Sequence, residues 1–176
     1  MKGFTIIELL AVVAIIILLS SLILPNYRLG EQKFALENAI VMLNRNLRSV
    51  EEMAMSSKQF HSIIPRGGYG IYAENGASSY IIFADCGVSP DYRYTPTGSE
   101  CNGFPELIET IDLGGQVYIA GLLPSTPLNI LFTAPKPTVT ISGSGSEAII
   151  TIALKTDSTK TKIININTVG LIEITK

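Results

Sequence analysis

Carboxylate side chains are the groups in this sequence whose type and spacing point most directly to chemistry. Six of them fall between positions 85 and 112, where Arg93 is the one basic residue, so the segment carries a local charge of −5. Calcium is bound by about six to eight oxygens from carboxylates, carbonyls and water. The segment therefore suggests a calcium site with Asp85 and Asp91 as candidate ligands, although its spacing matches no known calcium loop. A solvated acidic loop that binds no cofactor is the simpler interpretation, and the calcium site is the weaker one.

A further carboxylate, Glu8, lies inside the most apolar part of the chain. From Phe4 to Leu24, 17 of the 21 residues are apolar. A helix of this length spans about 31 Å, close to the ~30 Å hydrocarbon core of a bilayer, so the segment predicts a membrane-spanning helix. A charged group at that depth is costly and normally has a partner. No cation of this chain is suitably spaced, which leaves a neighbouring molecule, a nearby amino terminus, or a hydrated position at the interface.

Two simpler interpretations of the apolar segment compete with this one. A secretory signal peptide has a shorter apolar region, a basic stretch before it and a small-residue cleavage site after it. Here only Lys2 precedes the segment, and residues 22–25 are a poor cleavage site. An ordinary signal anchor explains the length of the segment but leaves Glu8 unexplained.

The residues at the start of the chain favour one interpretation of the apolar segment. Residues 3–10, with the sequence GFTIIELL, resemble the N-terminal signature of type IV pilins and type II secretion pseudopilins. The resemblance implies that a prepilin peptidase and methyltransferase cuts between Gly3 and Phe4 and then N-methylates Phe4. It also implies that Glu8 pairs with the terminal amine of an adjacent subunit during assembly. Pro25 matches a proline that is common in pilin helices.

The resemblance and the apolar pattern together divide the chain into four segments. Residues 1–3 are a prepilin leader, unless the true start lies upstream of Met1, and residues 4–24 are the transmembrane and assembly helix. Residues 25–58 continue the helix, and residues 59–176 form a β-rich extracytoplasmic domain. In the continued helix, apolar residues recur at intervals of three and four, which predicts that one face packs on a sheet. These residues are Leu36, Ile40, Leu43, Leu47, Val50 and Ala54.

The rest of the chain shows short apolar runs separated by turn residues, a pattern typical of antiparallel β structure. Asn75-Gly76 marks a turn between the first two runs. The predicted fold class is therefore α+β and pilin-like: a long N-terminal helix, membrane-embedded and then amphipathic, packed on an antiparallel, sandwich-like β domain. The predicted strands are 69–73, 80–84, 108–113, 117–122, 130–133, 138–142, 148–154, 162–167 and 171–175.

Within the pilin-like group, the chain is most similar to the H-type minor pseudopilins, which include the FimT-like pilins. The likeness rests on the amphipathic half-helix, on GYGIY at 68–72, on IFAD at 82–85 and on the closing segment 164–174. It implies a minor rather than a major subunit.

The two cysteines, Cys86 and Cys101, lie within the acidic segment. A disulfide between them would stabilise the fold by about 3 kcal/mol in the chain-entropy model, and it would persist in an extracytoplasmic domain. Two free thiols are the alternative. With one His and two Cys, the chain has too few ligands for a Cys/His zinc cluster.

No catalytic motif is present, and we expect no enzymatic activity. The sequence lacks G-x-S-x-G, P-loop and H-E-x-x-H motifs, and His61, its one histidine, has the context of a surface residue. A net charge of −2 argues against a nucleic-acid binder. Lys155, Lys160 and Lys162 form the one cationic cluster. No aromatic residue is interleaved with them, so a solvated turn is the simpler interpretation and a nucleic-acid patch the weaker one.

These features predict a structural subunit of a type IV pilus or a type II secretion pseudopilus. It would cross the cytoplasmic membrane once, with its N-terminus in the cytoplasm and its β domain outside, and would join the filament after cleavage behind Gly3. Its partners would be other pilin or pseudopilin subunits, the prepilin peptidase and the membrane. The alternative is a membrane-tethered module that binds a ligand or DNA and does not polymerise. A mere tether has no need of Glu8.

Overall fold

The computed structural model describes residues 5–87, 89–134, 138–143 and 145–175, except for the side chains of residues 22–29. In this part of the chain one helix, α1 (Ile6–Met55), precedes nine strands. The strands are β1 (Gly68–Ala73), β2 (Ser79–Asp85), β3 (Leu107–Asp112), β4 (Val117–Leu123), β5 (Leu128–Thr133), β6 (Thr138–Ile141), β7 (Glu147–Leu154), β8 (Thr161–Asn167) and β9 (Ile172–Thr175). The chain divides into two compact units, Met1–Phe34 and Ala35–Lys176.

The predicted fold class is wrong in its central feature, an N-terminal helix whose first half is embedded in a membrane. Within the described residues, no helix is both long enough and apolar enough to cross a membrane. From residue 30 onward, α1 carries charged residues along its length, among them Glu31 and Lys33, and is amphipathic. The fold is mostly antiparallel β-sheet.

The predicted location of the chain, a single pass through the cytoplasmic membrane, is also contradicted. Within the described residues, no helix combines the length and the apolar character that are needed to cross a membrane.

The amphipathic face predicted between residues 36 and 54 is confirmed. Its six apolar residues are at most 6% exposed, and Leu47 and Val50 are fully buried. Val41, on the opposite face of the helix, is 57% exposed. The buried residues of this face share one hydrophobic core with residues from the strands. This face is therefore the part of the helix that the second unit uses for packing.

The strands form two antiparallel sheets, and the nine predicted strands lie within two residues of the observed bounds. The first sheet has the order β3-β2-β1-β5-β6, and the second has the order β4-β7-β8-β9. The turn between β1 and β2 uses Gly76 at a φ of +83°, which glycine adopts without strain. The β1–β2 register pairs Gly68 with Asp85. This register places Asp85 at the end of β2, on the edge from which the next loop departs.

We expect Leu47→Ala to lower the free energy of unfolding by about 2–5 kcal/mol, because truncating a buried leucine leaves a cavity in the core. Leu171→Ala removes the same atoms from a side chain that is 52% exposed, and its effect should stay within about 1 kcal/mol. Urea unfolding of the full chain, followed by circular dichroism, measures both variants. Equal losses in the two variants would contradict the place of Leu47 in the core.

Candidate functional site

The helix α1 begins with a reciprocal arrangement between Thr5 and Glu8. Thr5 precedes the first helical residue, Ile6, and the Glu8 backbone N–H donates to Thr5 Oγ1 at 3.3 Å. In return, the Thr5 backbone N–H and the Thr5 hydroxyl each donate to Glu8 Oε2 at 3.0 Å. This is a capping box, in which a Thr and a Glu three residues apart satisfy N–H groups at the start of a helix.

These hydrogen bonds favour the ionised form of Glu8. They lower the pKa of the Glu8 carboxyl, with the Thr5 backbone N–H as the largest cause and the Thr5 hydroxyl as the next. A negative charge in the first turn is also favoured by the helix dipole. Glu8 is exposed, so a partner can reach its carboxylate. Thr5 is a neutral partner, which the expectation of a cation near Glu8 did not include.

Glu8 lies among exposed apolar side chains. Every side chain from residue 5 to residue 21 is exposed. Eleven of these are large and apolar, with exposed fractions from 44% at Val13 to 81% at Ile6. Contiguous apolar surface of this kind marks a site of interaction. The eleven residues are Ile6, Ile7, Leu9, Leu10, Val12, Val13, Ile15, Ile16, Ile17, Leu18 and Leu19.

The other residues of the predicted processing and assembly site lie outside what the structure describes. Gly3 and Phe4, between which cleavage is predicted, precede the first described residue. Pro25 falls within the bounds of α1, but its side chain is not among those described. Of these four predicted positions, Glu8 is the one whose contacts are described.

The predicted disulfide between Cys86 and Cys101 is confirmed. The two residues are 15 positions apart, their Cα atoms are separated by 5.1 Å, and both are buried. Cys86 follows the last residue of β2, and the disulfide ties the second half of the β2–β3 loop to this strand end. The residues that precede the two cysteines, Asp85 and Glu100, are thereby brought to the same place.

Three carboxylates converge beside this disulfide, and we call Asp85, Glu100 and Glu106 the acidic group. One oxygen from each lies within 4.8 Å of those from the other two. Asp85 and Glu106 are fully buried, whereas Glu100 is exposed. Glu106 immediately precedes β3, and its carbonyl accepts a hydrogen bond from the Ala84 N–H at 2.9 Å. Pairing of β2 with β3 therefore positions the two buried carboxylates, and the disulfide positions the third.

Backbone N–H groups hold the two buried carboxylates. Asp85 Oδ2 accepts from the Tyr92 N–H at 2.9 Å, and Asp85 Oδ1 accepts from the Gly87 N–H at 3.4 Å. Glu106 Oε2 accepts from the Thr95 N–H at 2.8 Å. Glu106 Oε1 is buried and has no hydrogen-bond partner among the described residues. In the same part of the chain, no Lys or Arg forms an ion pair with the acidic group.

Two glycines make room for the acidic group. A Cβ atom at Gly67 would overlap Asp85 Oδ2, and a Cβ atom at Gly87 would lie 2.7 Å from Glu100 Oε2. The first overlap involves a fully buried carboxylate that two N–H groups already fix in place. A side chain at Gly67 would therefore displace Asp85 from the group.

Burial raises the pKa of both buried carboxyls. Desolvation raises the pKa of Glu106 to about 7; the Thr95 N–H opposes this, while the negative charges of Asp85, Glu100 and Asp91 add to it. Desolvation also raises the pKa of Asp85, against the opposing effect of its N–H donors. The acidic group thus concentrates more negative charge than its buried surroundings stabilise.

Of the two metal ligands suggested by the sequence, Asp85 belongs to the acidic group and Asp91 does not. Asp91 is exposed, and its Oδ1 accepts a hydrogen bond from the Arg93 N–H at 3.0 Å. The sequence pattern did not single out Glu100 or Glu106. A signal for Glu100 was available, because the predicted disulfide places the residues before its two cysteines side by side. Glu106 gives no such signal, because its position depends on strand pairing.

Two of the three lysines considered as a nucleic-acid patch have carboxylate partners. Lys162 Nζ lies 2.7 Å from Glu37 Oε1, and Lys160 Nζ lies 3.6 Å from Asp157 Oδ2. These ion pairs reduce the positive charge that is available to phosphate groups. They favour the interpretation of this cluster as a solvated turn.

Reduction of the disulfide should lower the free energy of unfolding by about 3 kcal/mol, because a bridge across 15 residues removes entropy from the unfolded chain. Urea unfolding of the full chain with and without dithiothreitol measures the difference. The double variant Cys86→Ala/Cys101→Ala is the control, and it should unfold at the lower urea concentration under both conditions. If the urea midpoint of the wild type were the same with and without dithiothreitol, a stabilising role for the bridge would be contradicted.

Comparison with known proteins adds no family to these observations. No family model, no curated protein and no solved structure matches this chain. The function of the chain is therefore inferred from its own residues and their geometry.

Proposed function

We propose that the chain is a structural subunit of a type IV pilus or a type II secretion pseudopilus. Cleavage between Gly3 and Phe4 creates a new, methylated amino terminus, and the N-terminal helix then packs among other subunits. The protein works by assembly and contact. The observation that carries the proposal is the exposed apolar stretch 6–21 with one capped carboxylate, Glu8, in its first turn. The resemblance of residues 3–10 to the prepilin signature supports it.

The exposed apolar stretch supports assembly because none of its described side chains is covered. Ile6 is 81% exposed and Leu18 is 66% exposed. Burying one such side chain is worth about 1.5–3 kcal/mol, so a helix with eleven of them gains greatly from a matching surface. A bundle of identical helices provides such a surface, because each helix offers the others the same apolar faces.

Glu8 would give such a bundle a fixed register. A carboxylate that is surrounded by apolar side chains interacts most strongly with a cation where water is excluded. The amine that cleavage creates on Phe4 is such a cation, and the Thr5 backbone N–H keeps the Glu8 carboxylate ionised and oriented before assembly. One polar pair in an apolar interface favours a single axial position of neighbouring helices over all others.

A second candidate function is a binding module whose β domain captures a ligand without polymerising. The Thr5–Glu8 capping box is the observation that favours it, because Glu8 then has a partner within its own chain and needs no neighbouring amine. On this alternative, Glu8 serves only the start of the helix. The filament subunit requires the charge of Glu8 for assembly, whereas the binding module requires Glu8 only to cap the helix.

The variant Glu8→Gln should lower incorporation of the protein into filaments roughly tenfold or more, because it removes the charge that pairs with the amine. The amide oxygen of Gln can still accept from Thr5, so the helix cap is largely kept. Quantitative immunoblots of filaments sheared from the native host, normalised to the total amount of the protein, measure incorporation.

The matched control is Thr5→Ala, which removes the hydroxyl from the cap and keeps the carboxylate of Glu8. A filament subunit should tolerate this change with near wild-type incorporation. Wild-type incorporation of Glu8→Gln, or an equal loss in Thr5→Ala, would contradict the proposed charge pair and favour the binding module.

A further inference from the structure

We propose that residues 92–95 form a strap, a short part of the β2–β3 loop that closes over one face of the first sheet and opens while the rest of the second unit stays folded. Opening uncovers a second apolar cluster, Phe83 and Leu131, as a contact surface of the β domain. The proposal is independent of the filament function, because all of these residues belong to the second unit.

The first sheet has an outer face, which points away from the main hydrophobic core. Successive residues of a strand point to opposite faces, and Ile82 and Ala84 of β2 belong to the main core. Phe83, between them, therefore points to the outer face. Phe83 and Leu131 are both fully buried, and neither is one of the residues of the main core. The outer face thus carries buried apolar side chains that something other than the main core covers.

Strand register brings these two side chains together over a glycine. Gly70 of β1 pairs with Phe83 of β2 on one side and with Leu131 of β5 on the other. A Cβ atom at Gly70 would lie 2.9 Å from Phe83 Cε1 and 2.8 Å from Leu131 Cγ. The absence of a side chain at Gly70 therefore allows Phe83 and Leu131 to pack as one cluster.

The ring of Tyr94, in the strap, lies against this cluster. Its centroid is 5.5 Å from that of the Phe83 ring and 5.2 Å from that of the Tyr72 ring. Tilted aromatic pairs attract one another at these distances. Tyr72 follows Gly70 by two residues in β1, so it lies on the same outer face. Tyr94 is therefore part of what keeps Phe83 away from water.

Three buried polar side chains hold the strap by its backbone. They are the polar side chains that are buried in the described part of the chain, and each accepts a hydrogen bond from one N–H group of the strap. Asp85 Oδ2 accepts from the Tyr92 N–H at 2.9 Å, Asn129 Oδ1 accepts from the Tyr94 N–H at 2.9 Å, and Glu106 Oε2 accepts from the Thr95 N–H at 2.8 Å. Because all three acceptors serve one short segment, we expect the three hydrogen bonds to form and break together.

The strap combines weak attachment with a permanent tether. Residues 92–95 have neither helix nor strand structure, so no ladder of backbone hydrogen bonds ties them to a neighbouring strand. Tyr92 has a φ of +58°, a left-handed conformation that is unfavourable for a residue other than glycine. Segments with such few ties open locally. The disulfide between Cys86 and Cys101 holds the loop on both sides of the strap, so an open strap stays close to the face that it leaves.

Native-state hydrogen exchange of the full chain in mild detergent, followed by NMR at increasing urea concentrations below the unfolding midpoint, tests the proposal. Local opening exposes little surface, so its exchange depends weakly on urea, whereas exchange by global unfolding depends on it strongly. We expect the N–H groups of Tyr92, Tyr94 and Thr95 to be protected, with similar protection factors and weak urea dependence. The amides of β7 and β8 should depend strongly on urea.

Substitutions then test whether the strap opens as one unit. Tyr94→Ala removes the ring that lies against Phe83, and it should lower the protection factors of the Tyr92 and Thr95 N–H groups roughly tenfold or more. Asn129→Ala removes the acceptor of the Tyr94 N–H and should have the same effect. Tyr92→Ala is the matched control, because it removes the same atoms in the same segment from a side chain that is 40% exposed. Its strap amides should stay within about twofold of the wild type.

A soluble nitroxide measures whether opening uncovers the cluster, because it broadens the NMR signals of groups that solvent reaches. The ring signals of Phe83 should broaden more in Tyr94→Ala than in Tyr92→Ala. Equal broadening in the two variants would overturn the proposed contact surface.

Joint loss of protection in Tyr94→Ala, with unchanged amides in β7 and β8, supports the strap. Unprotected strap amides in the wild type, or the same urea dependence for strap and β7 amides, would overturn the proposal. A loss that Tyr92→Ala shares, or one confined to a single N–H group, would also overturn it, because the strap would then not open as one unit. Asn129 is buried, so Tyr94→Ala decides the outcome if Asn129→Ala fails to fold.

Discussion

Burial of the helical face between residues 36 and 54 is the interaction on which the second unit depends. Its side chains share one core with residues from both antiparallel sheets, so a single helical face serves two sheets. Removal of this apolar surface from water is the main favourable contribution to folding. Strand pairing then sets the register, and the register fixes where β2 ends. The polar chemistry of the unit lies at that strand end, because Asp85 is its last residue.

The same arrangement occurs in both units: backbone N–H donors anchor carboxylate side chains. At the start of α1, the cap from Thr5 holds Glu8 ionised among exposed apolar side chains. At the end of β2, N–H donors hold Asp85 and Glu106 in a buried group whose charge lacks a described counter-ion. For Glu8, the cation that we propose is a terminal amine, and this pairing would convert a local electrostatic cost into a specific contact.

The sequence predicted what depends on neighbouring residues and failed where distant residues decide. Alternating and three-to-four spacing located the strands and the buried helical face, because these patterns are local consequences of backbone geometry. The disulfide followed from two cysteines in one loop. The membrane-spanning prediction rested on composition alone, and within the described residues no helix combines the required length and apolar character. The sequence pattern did not indicate Glu106, because this residue comes close to Asp85 only through the pairing of β2 with β3.

The central claim is that the chain becomes a filament subunit after removal of its first three residues. The intact mass of the protein isolated from its native host, with tandem mass spectrometry of its N-terminal peptide, tests this most directly. A filament subunit should begin at Phe4 and carry one additional methyl group on the Phe4 amine. A chain that retains residues 1–3 in a host whose prepilin peptidase is active would contradict the claim and favour a binding module that does not polymerise.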